Sequence, residues 1–264
     1  MSPVSKKETL LIEQDKDSVT IRLNRPKKHN ALNDQLVRDL KGALQDIESE
    51  PGIKSVVIRG NGKSFCSGAD LAYLKSLSDY DYAKNLQDSR SLADLFLKIY
   101  SFPKPVIAFV HGAALAGGCG LTSVCDFILA TNDARFGYPE VRIGFIAALV
   151  STFLIRQIGE RKARELLLTG KVVSAEQAFD LGLINQTHNP EDAEMQLDAL
   201  KNDLHQNSTE AMAVSKQKLL NQFIYQSIEQ DLEGLSEINA KFRETEHFIE
   251  GISSFIEKRK PNWK

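Results

Sequence analysis

Cysteine is scarce in this chain of 264 residues, and its three copies exclude two kinds of protein. Cys66, Cys119 and Cys125 cannot form a disulfide framework because their number is odd, and their spacing matches no zinc-binding pattern. We predict that Cys119 and Cys125, which flank an apolar helical stretch, pack inside the protein. Unpaired cysteines are typical of a reducing compartment, so we expect a cytoplasmic protein.

A strong excess of either charge is also missing. Lys and Arg number 33 against 35 Asp and Glu, which gives a net charge of −2. Such a chain would neutralise few phosphates, so we expect no nucleic-acid partner. Hydrophobic residues make up 42% and charged residues 26%, a balance typical of a soluble globular protein and not of a disordered one.

A long uninterrupted apolar run is the third absence. The most apolar long stretch, 106–130, is broken by His111, Asp126 and several glycines, so we interpret it as protein interior and not as a membrane span. Residues 1–8 lack the apolar core of a signal peptide. We therefore expect no membrane association.

The hydrophobic pattern predicts alternating strands and helices over the first half of the chain. Val19, Ile21 and Leu23 alternate with polar residues as in a half-buried strand, and Asn33 is placed to cap a helix that follows. The other predicted elements are strands at 55–59, 106–110 and 127–130 and helices at 36–47 and 84–100. This order is typical of βαβ crossovers and predicts an α/β fold with a parallel sheet. After about Leu149 we expect helices throughout.

Three stretches combine small or turn-forming residues with the end of a strand. They are Ser-Phe-Cys-Ser-Gly-Ala-Asp-Leu at 64–71, Ala-Leu-Ala-Gly-Gly-Cys-Gly-Leu at 114–121 and Phe-Gly-Tyr-Pro-Glu-Val-Arg-Ile-Gly at 136–144. Small residues let a ligand approach the backbone, and a helix that begins at Gly117 would direct unpaired N–H groups outward. Each stretch alone is more typical of an ordinary structural turn than of a binding site, and Glu140 alone is more typical of a solvated charge.

Taken together and in order, these stretches resemble the crotonase (enoyl-CoA hydratase/isomerase) superfamily. The resemblance also includes Arg25-Pro26 with Asn30-Ala31-Leu32, Lys104-Pro105 before the third strand, Cys125-Asp126, and the basic tail 255–260. It implies a spiral of repeated ββα units over 1–200 and a helical region over 201–264 that forms a homotrimer or a dimer of trimers. It also implies an acyl-CoA substrate and no metal or redox cofactor.

The resemblance assigns catalytic roles to three positions. The backbone N–H groups of Ala69 and Gly117 would hold the thioester oxygen while an enolate forms, and Glu140 would act as general base and acid. Familiar hydratases carry two glutamates, but the position of the first is Gly120 here. Hydration with a single glutamate and isomerisation by proton transfer from Cα to Cγ both stay open. A binding protein that has lost catalysis is the third alternative, and Tyr73, Tyr138 or Asp70 could replace the missing carboxylate.

The resemblance also predicts residues that bind coenzyme A and the acyl group. Coenzyme A would contact the following positions: Lys28, Ala31, Ala69, Asp70, Leu71, Phe255 and Lys258. The stretch Pro-Glu-Val-Arg-Ile-Gly-Phe-Ile-Ala at 139–147, with Gly-Gly-Cys-Gly-Leu before it, is more similar to a bacterial branch that includes methylglutaconyl-CoA hydratases of leucine degradation. A dicarboxylic acyl group would need a cation, for which Arg142, Lys75 and Arg90 are the candidates, although each also fits a surface charge.

Overall fold

The computed structural model describes residues 5–220 and 225–263. The remaining positions are 1–4, 221–224 and 264. The start of the segment 1–8, which is predicted to lack a signal peptide, and parts of the predicted C-terminal helical region therefore lie outside the described residues.

The main sheet has seven strands within the described residues. Their order across the sheet is β1 (Ser5–Lys6), β2 (Leu10–Asp15), β3 (Ser18–Leu23), β4 (Ser55–Gly60), β5 (Val106–Val110), β7 (Phe127–Thr131) and β10 (Gln186–His188). From β3 to β10 all neighbours are parallel, with Ile21 opposite Ile58 and Ile58 opposite Ala108. The first three strands form an antiparallel edge. The predicted α/β fold is confirmed, and the four predicted strands belong to its parallel part.

A second, smaller sheet and a set of helices complete the architecture. The small sheet has the order β6 (Ala113–Leu115), β8 (Arg135–Gly137) and β9 (Val172–Ser174). The α-helices are α1 (Asp34–Glu48), α2 (Leu71–Leu77), α3 (Tyr82–Tyr100), α4 (Gly117–Ser123), α5 (Ala148–Ile158), α6 (Glu160–Thr169), α7 (Ala175–Leu181), α8 (Pro190–His205), α9 (Thr209–Val214), α10 (Tyr225–Phe242) and α11 (Glu246–Ile256). Pro139–Ile143 forms a 3-10 helix and Ser215–Leu220 a π-helix.

The expectation of helices alone after Leu149 is wrong. Strands β9 and β10 lie in that part, and β10 pairs in parallel with β7 at the edge of the main sheet. Each has three residues, too few for an alternating pattern to stand out in the sequence. The predicted boundary at residue 200 falls inside α8. The division into two regions and the role of the second in assembly stay predictions.

Helix α1 forms as its sequence predicts. The Asn33 side chain caps it by accepting a hydrogen bond from the Leu36 N–H at 3.0 Å. Its buried positions recur at helical spacing and face the sheet: Leu36, Val37, Leu40, Ala43, Leu44 and Ile47. The core therefore lies between this helical layer and the sheet.

Strand β4 is buried on both faces, as its run of β-branched residues predicts. Val56 and Ile58 face the core that α1 and α3 cover, whereas Val57 faces a second apolar cluster with Ala193 and Leu197 of α8. None of the described helices is both long and apolar enough to cross a membrane.

Asn30 ties the loop after β3 to the loop after β4. It is fully buried, with a left-handed backbone (φ +54°), and its Nδ2 donates to the carbonyl oxygens of Asn61 (2.9 Å) and Ser64 (2.8 Å). Its Oδ1 accepts from the Arg25 N–H at 2.9 Å. Three backbone groups thus depend on one buried amide side chain, which holds the two loops in register.

We predict that Asn30→Ala lowers the free energy of unfolding by about 3 kcal/mol, because the three hydrogen bonds of this buried side chain are lost at about 1 kcal/mol each. Urea unfolding measures the change. The exposed Asn207, whose Nδ2 bonds only the Asp203 carbonyl oxygen at the surface, provides the control Asn207→Ala. Equal stabilities of the two variants would contradict this role of Asn30.

Candidate active site

Two chain segments, 66–70 after β4 and 113–118 after β5, run side by side. The Cys66 N–H donates to the Ala113 carbonyl oxygen at 3.0 Å, and the Leu115 N–H donates to the Cys66 carbonyl oxygen at 3.0 Å. Leu32 joins from the other side, since its N–H bonds the Gly68 carbonyl oxygen (2.7 Å). These bonds fix the backbone of both segments at the carboxyl ends of the central strands.

The N–H groups of Ala69 and Gly117 are left without a partner by this arrangement. The Leu32 backbone forms hydrogen bonds with the Gly68 carbonyl oxygen and the Asp70 N–H, on either side of Ala69. The Ala69 N–H therefore points away from Leu32. Gly117 is the first residue of α4, where an N–H has no acceptor within the helix. Among residues 5–220 and 225–263 neither group donates a hydrogen bond, and both residues line the same cavity.

The turn into α4 is strained. Ala116 has φ +51° and ψ −128°, a conformation that costs an alanine about 1–3 kcal/mol and is most often kept at functional sites. Gly68 (φ +98°) lies opposite it, and a Cβ at position 68 would lie 2.8 Å from the Ala116 Cβ. A Cβ at Gly118 would lie 2.2 Å from the Cys66 carbonyl oxygen. Glycine is therefore required for the two segments to approach this closely.

Glu140 lies in the same cavity, on the 3-10 helix that follows β8. It is 7% exposed, and its Oε2 atom has no hydrogen-bond partner within the described part of the chain. Burial raises the pKa of Glu140 from 4.5 to about 7, although a hydrogen bond from its own backbone N–H acts in the opposite direction. The carboxyl group can therefore both accept and give a proton near neutral pH.

The cavity has a volume of about 500 Å³ and is mostly apolar. Helices α2, α3 and α5 and the loop before α5 supply most of its apolar lining, including Leu74, Leu77, Leu92, Phe96, Phe145, Ile146, Leu149 and Val150. Its size and lining fit a small organic group. Four polar residues that sequence analysis did not bring together also line it: Tyr73, Asp88, Asn239 and Arg243.

Val150 fills the space beside Gly120. A Cβ at position 120 would lie 2.1 Å from the Val150 Cγ1 atom and 3.3 Å from the Phe96 Cζ atom. The position that carries a glutamate in the familiar hydratases therefore has no room for a side chain here. Valine and phenylalanine make this wall of the cavity apolar.

The predicted coenzyme A residues fall into two groups. Ala69, Leu71 and Phe255 line the cavity, and Leu71 and Phe255 are exposed at 39% and 50%. The other four, Lys28, Ala31, Asp70 and Lys258, are not part of the cavity lining. Lys28 and Lys258 are exposed, whereas Ala31 and Asp70 are buried.

Arg25, which sequence analysis named only as part of a motif, links the two segments that contain Ala31 and Asp70. Its Nη2 contacts the Asp70 Oδ2 at 2.7 Å, and its Nη1 donates to the Ala31 carbonyl oxygen. Asp70 also caps α2 through the Ala72 N–H at 3.0 Å. Burial acts to raise the pKa of Asp70, but the hydrogen bonds and charge of Arg25 prevail and the pKa is lowered.

Of the predicted acyl-group cations, Arg142 lines the cavity, whereas Lys75 and Arg90 do not. Arg90 pairs with Glu233 on the surface. Arg142 forms no ion pair among the described residues. The structure thus brings one of the three cations to the site.

Of the residues considered as replacements for the missing carboxylate, Tyr73 lines the cavity, whereas Asp70 and Tyr138 do not. Tyr138 is fully buried, which raises the pKa of its phenol well above the usual value. The cysteines are buried as well, and burial raises the pKa of Cys66 and of Cys119 to about 12. Their thiols therefore stay protonated and serve as packing groups, as predicted for Cys119 and Cys125.

Comparison with solved structures identifies the fold. An enoyl-CoA hydratase from Mycobacterium avium superimposes with a TM-score of 0.88 at 31% sequence identity, covering 98% of this chain and all of the other. The chain therefore has the crotonase fold, and the predicted spiral architecture is confirmed.

Comparison with sequences identifies the family. The model described as enoyl-CoA hydratase/isomerase matches residues 13–264. A Thermus thermophilus protein that bears an enoyl-CoA hydratase name is 39% identical over 254 residues, which are 96% of this chain and 100% of that protein. The 2,3-dehydroadipyl-CoA hydratase of Escherichia coli is 34% identical and covers 97% of this chain and 98% of its own length. This chain belongs to the enoyl-CoA hydratase/isomerase family.

We predict that Gly120→Ala lowers the free energy of unfolding by about 1–3 kcal/mol, because its Cβ would overlap Val150. In a Val150→Ala background this cost should largely disappear, since the overlapping methyl group is gone. A double-mutant cycle by urea unfolding measures the coupling. The control is Gly234→Ala in α10, where a Cβ meets nothing within 4 Å and the helix gains stability. Additive effects of the two substitutions would contradict the packing argument.

We also predict that Glu140→Gln changes how stability depends on pH. The folded protein binds the Glu140 proton more tightly than the unfolded chain does. The wild type should therefore lose about 3 kcal/mol relative to the variant as the pH rises from below 4.5 to above 7. Urea unfolding at pH 4.5 and pH 8.5 measures this difference, with the exposed Glu229→Gln as control. Parallel pH profiles for wild type and Glu140→Gln would contradict the desolvation of Glu140.

Proposed function

We propose that this protein adds water across the Cα–Cβ double bond of an enoyl-CoA thioester. The observation that carries the proposal is the presence of a buried, unpartnered carboxyl oxygen of Glu140 in the same cavity as the free N–H groups of Ala69 and Gly117. The names of relatives such as 2,3-dehydroadipyl-CoA hydratase support the same reaction class.

The two N–H groups would bind the thioester oxygen. When the hydroxyl oxygen attacks Cβ, electrons move through Cα to that oxygen, which becomes the anionic oxygen of an enolate. Donors already fixed in place stabilise this growing charge without reorganisation, and one such donor is worth about 3–4 kcal/mol in other enzymes. The N-terminus of α4 supports the anion further because the helix dipole is positive there.

Glu140 would move the proton. Its ionised form accepts a proton from the water molecule as the water oxygen bonds to Cβ, and its acid form then returns a proton to Cα of the enolate. The sum is one added water, and the carboxylate is regenerated. A pKa of about 7 suits one group for both steps, which matters because Gly120 offers no second carboxylate.

Coenzyme A would enter as part of the substrate and not as a separate cofactor. We propose that Leu71 and Phe255 contact it at the cavity entrance and that Lys28, Ala31, Asp70 and Lys258 contact it outside the cavity. We further propose a homotrimer or a dimer of trimers. The apolar side chains that α10 and α11 expose, at Ile238, Ile249 and Phe255, are surface that a second copy would cover.

Isomerisation of a 3-enoyl-CoA to the 2-enoyl-CoA is the second candidate, and the apolar wall beside Gly120 favours it. The base removes a proton from Cα to form the enolate and returns a proton to Cγ, so this reaction needs one base but no bound water. Val150 and Phe96 offer no hydrogen bond with which this wall could hold a water molecule. The two reactions differ in the mass of the product.

The acyl group of 3-methylglutaconyl-CoA, an intermediate of leucine degradation, carries a second carboxylate. Arg142 is the cavity-lining residue on which binding of that carboxylate would depend. We therefore propose 3-methylglutaconyl-CoA as a substrate that requires Arg142.

We predict that the purified protein adds one water molecule, about 18 mass units, to one or more members of a substrate panel. The panel consists of crotonyl-CoA, hex-3-enoyl-CoA and 3-methylglutaconyl-CoA. Glu140→Gln should lower kcat by at least about 100-fold, because the proton-transfer group is lost. Arg142→Gln should raise KM for 3-methylglutaconyl-CoA alone. Mass spectrometry with quantified rates gives each result.

Three outcomes would decide against the proposal. A positional isomer without added water would support the isomerase instead. Full activity of Glu140→Gln would contradict both reactions. Binding of acyl-CoAs with no turnover of any of them would support a binding protein that has lost catalysis.

A further inference from the structure

One end of the acyl cavity is a polar wall formed by Tyr73, Asp88, Asn239 and Arg243. These residues come from three helices that meet there: Tyr73 from α2, Asp88 from α3 and Asn239 from α10, with Arg243 directly after α10. The rest of the cavity lining is mostly apolar. A polar wall buried at this depth is costly unless its hydrogen-bonding groups have partners.

The charges of the wall cancel. The Arg243 guanidinium, whose side chain is 4% exposed, donates from Nη1 to the Asp88 Oδ2 at 2.7 Å. The Tyr73 hydroxyl donates to the other oxygen, Asp88 Oδ1. Burial and the negative charge of Asp88 raise the pKa of Tyr73, so the phenol keeps its proton. Asp88 is held in place from both sides and keeps unused lone pairs toward the cavity.

Asn239 supplies donors that the protein itself does not use. The residue is 5% exposed, and its Oδ1 accepts from Arg243 Nη2 (2.9 Å) and from Ser89 Oγ (2.9 Å). Because Arg243 can only donate, the oxygen and nitrogen of this amide are assigned without ambiguity. The Asn239 Nδ2 has no partner within residues 5–220 and 225–263, although the side chain lines the cavity. The two N–H groups of the Asn239 amide are thus available to a ligand in the cavity, beside the Asp88 acceptor.

We propose that the polar wall binds a neutral hydroxyl group on the acyl group of the substrate, so that the protein prefers hydroxylated acyl-CoAs to those with a plain hydrocarbon chain. The inference rests on the proposed acyl-CoA function and narrows its substrate class. A hydroxyl oxygen accepts from the Asn239 Nδ2, and the hydroxyl hydrogen is donated to the Asp88 carboxylate or the Tyr73 oxygen. A single hydroxyl group therefore provides both an acceptor for Asn239 and a donor for Asp88 or Tyr73.

Other acyl ends match the wall less well. A methyl end would leave the Asn239 N–H groups unpartnered and would exclude the water that could serve them. A carboxylate would accept from Asn239 but would lie against the Asp88 carboxylate, whose charge Arg243 already pairs. A dicarboxylic acyl group would depend on Arg142, which lies on a different element from the wall.

Isothermal titration calorimetry with saturated acyl-CoAs tests the inference without turnover. The ligands are hexanoyl-CoA, its 4-, 5- and 6-hydroxy derivatives, and adipyl-CoA. We expect at least one hydroxy derivative to bind the wild type about tenfold more tightly than hexanoyl-CoA, which is about 1.4 kcal/mol. In Asn239→Leu the same derivative should bind within about twofold of hexanoyl-CoA. Glu233→Gln, on the outer face of the same helix, should keep the wild-type preference.

Each other outcome overturns the inference. If the wild-type protein binds no hydroxy derivative more tightly than hexanoyl-CoA, the wall stabilises the fold or binds water and does not recognise a hydroxyl group. A preference that survives Asn239→Leu excludes Asn239 as its source. If adipyl-CoA binds to the Arg142→Gln variant more tightly than every hydroxy ligand does, the wall recognises a carboxylate.

The controls separate failures of folding and of the proposed function. Retained binding of hexanoyl-CoA reports an intact cavity in each variant, and Asn239→Ala replaces Asn239→Leu if the latter does not fold. Failure of the wild type to bind any acyl-CoA overturns the proposed function together with this inference. Binding without the hydroxyl preference overturns this inference alone.

Discussion

The close approach of the segments 66–70 and 113–118 is the constraint on which the rest of the site depends. Backbone hydrogen bonds between Cys66 and its neighbours join the segments, and Gly68 and Gly118 make the separation possible because a Cβ at either would overlap the opposite segment. In this arrangement the Ala116 backbone adopts a strained conformation. Only in this arrangement do the N–H groups of Ala69 and Gly117 face one cavity, so the chemistry of the site follows from a packing requirement.

The same arrangement explains why a single carboxyl group is effective there. The small sheet ends at the 3-10 helix that places Glu140 in the cavity, whose lining is mostly apolar. Desolvation then brings its pKa to about 7. A second carboxylate at position 120 would itself need solvation or hydrogen-bond partners, because its nearest neighbours are Val150 and Phe96. Because the apolar side chain of Val150 fills this space, no second charged group needs a partner there.

Sequence patterns predicted the parts of the structure that depend on neighbouring residues. The α1 stripe, the doubly buried β4 and the turn at 64–71 each carry their signal within a few residues. The polar wall carries no such signal, because Tyr73, Asp88, Asn239 and Arg243 are separated by up to 170 positions in the printed sequence and read singly as ordinary helix residues. Gly120 was recognised by resemblance, but that Val150 occupies its space required the packing of α5 on α4.

Charge compensation links the wall to the catalytic end of the cavity. Arg243 is neutralised by Asp88 and Arg25 by Asp70, so these buried arginines contribute structure and little net potential. A free buried cation near Glu140 would lower its pKa and make it a weaker base at neutral pH, whereas paired arginines leave desolvation as the dominant cause. A polar acyl group can therefore be recognised by a hydrogen bond that Asn239 donates and one that Asp88 accepts, without disturbing the proton affinity on which catalysis depends. Selectivity by neutral hydrogen bonds is compatible with a single-carboxylate mechanism in a way that selectivity by an unpaired buried cation is not.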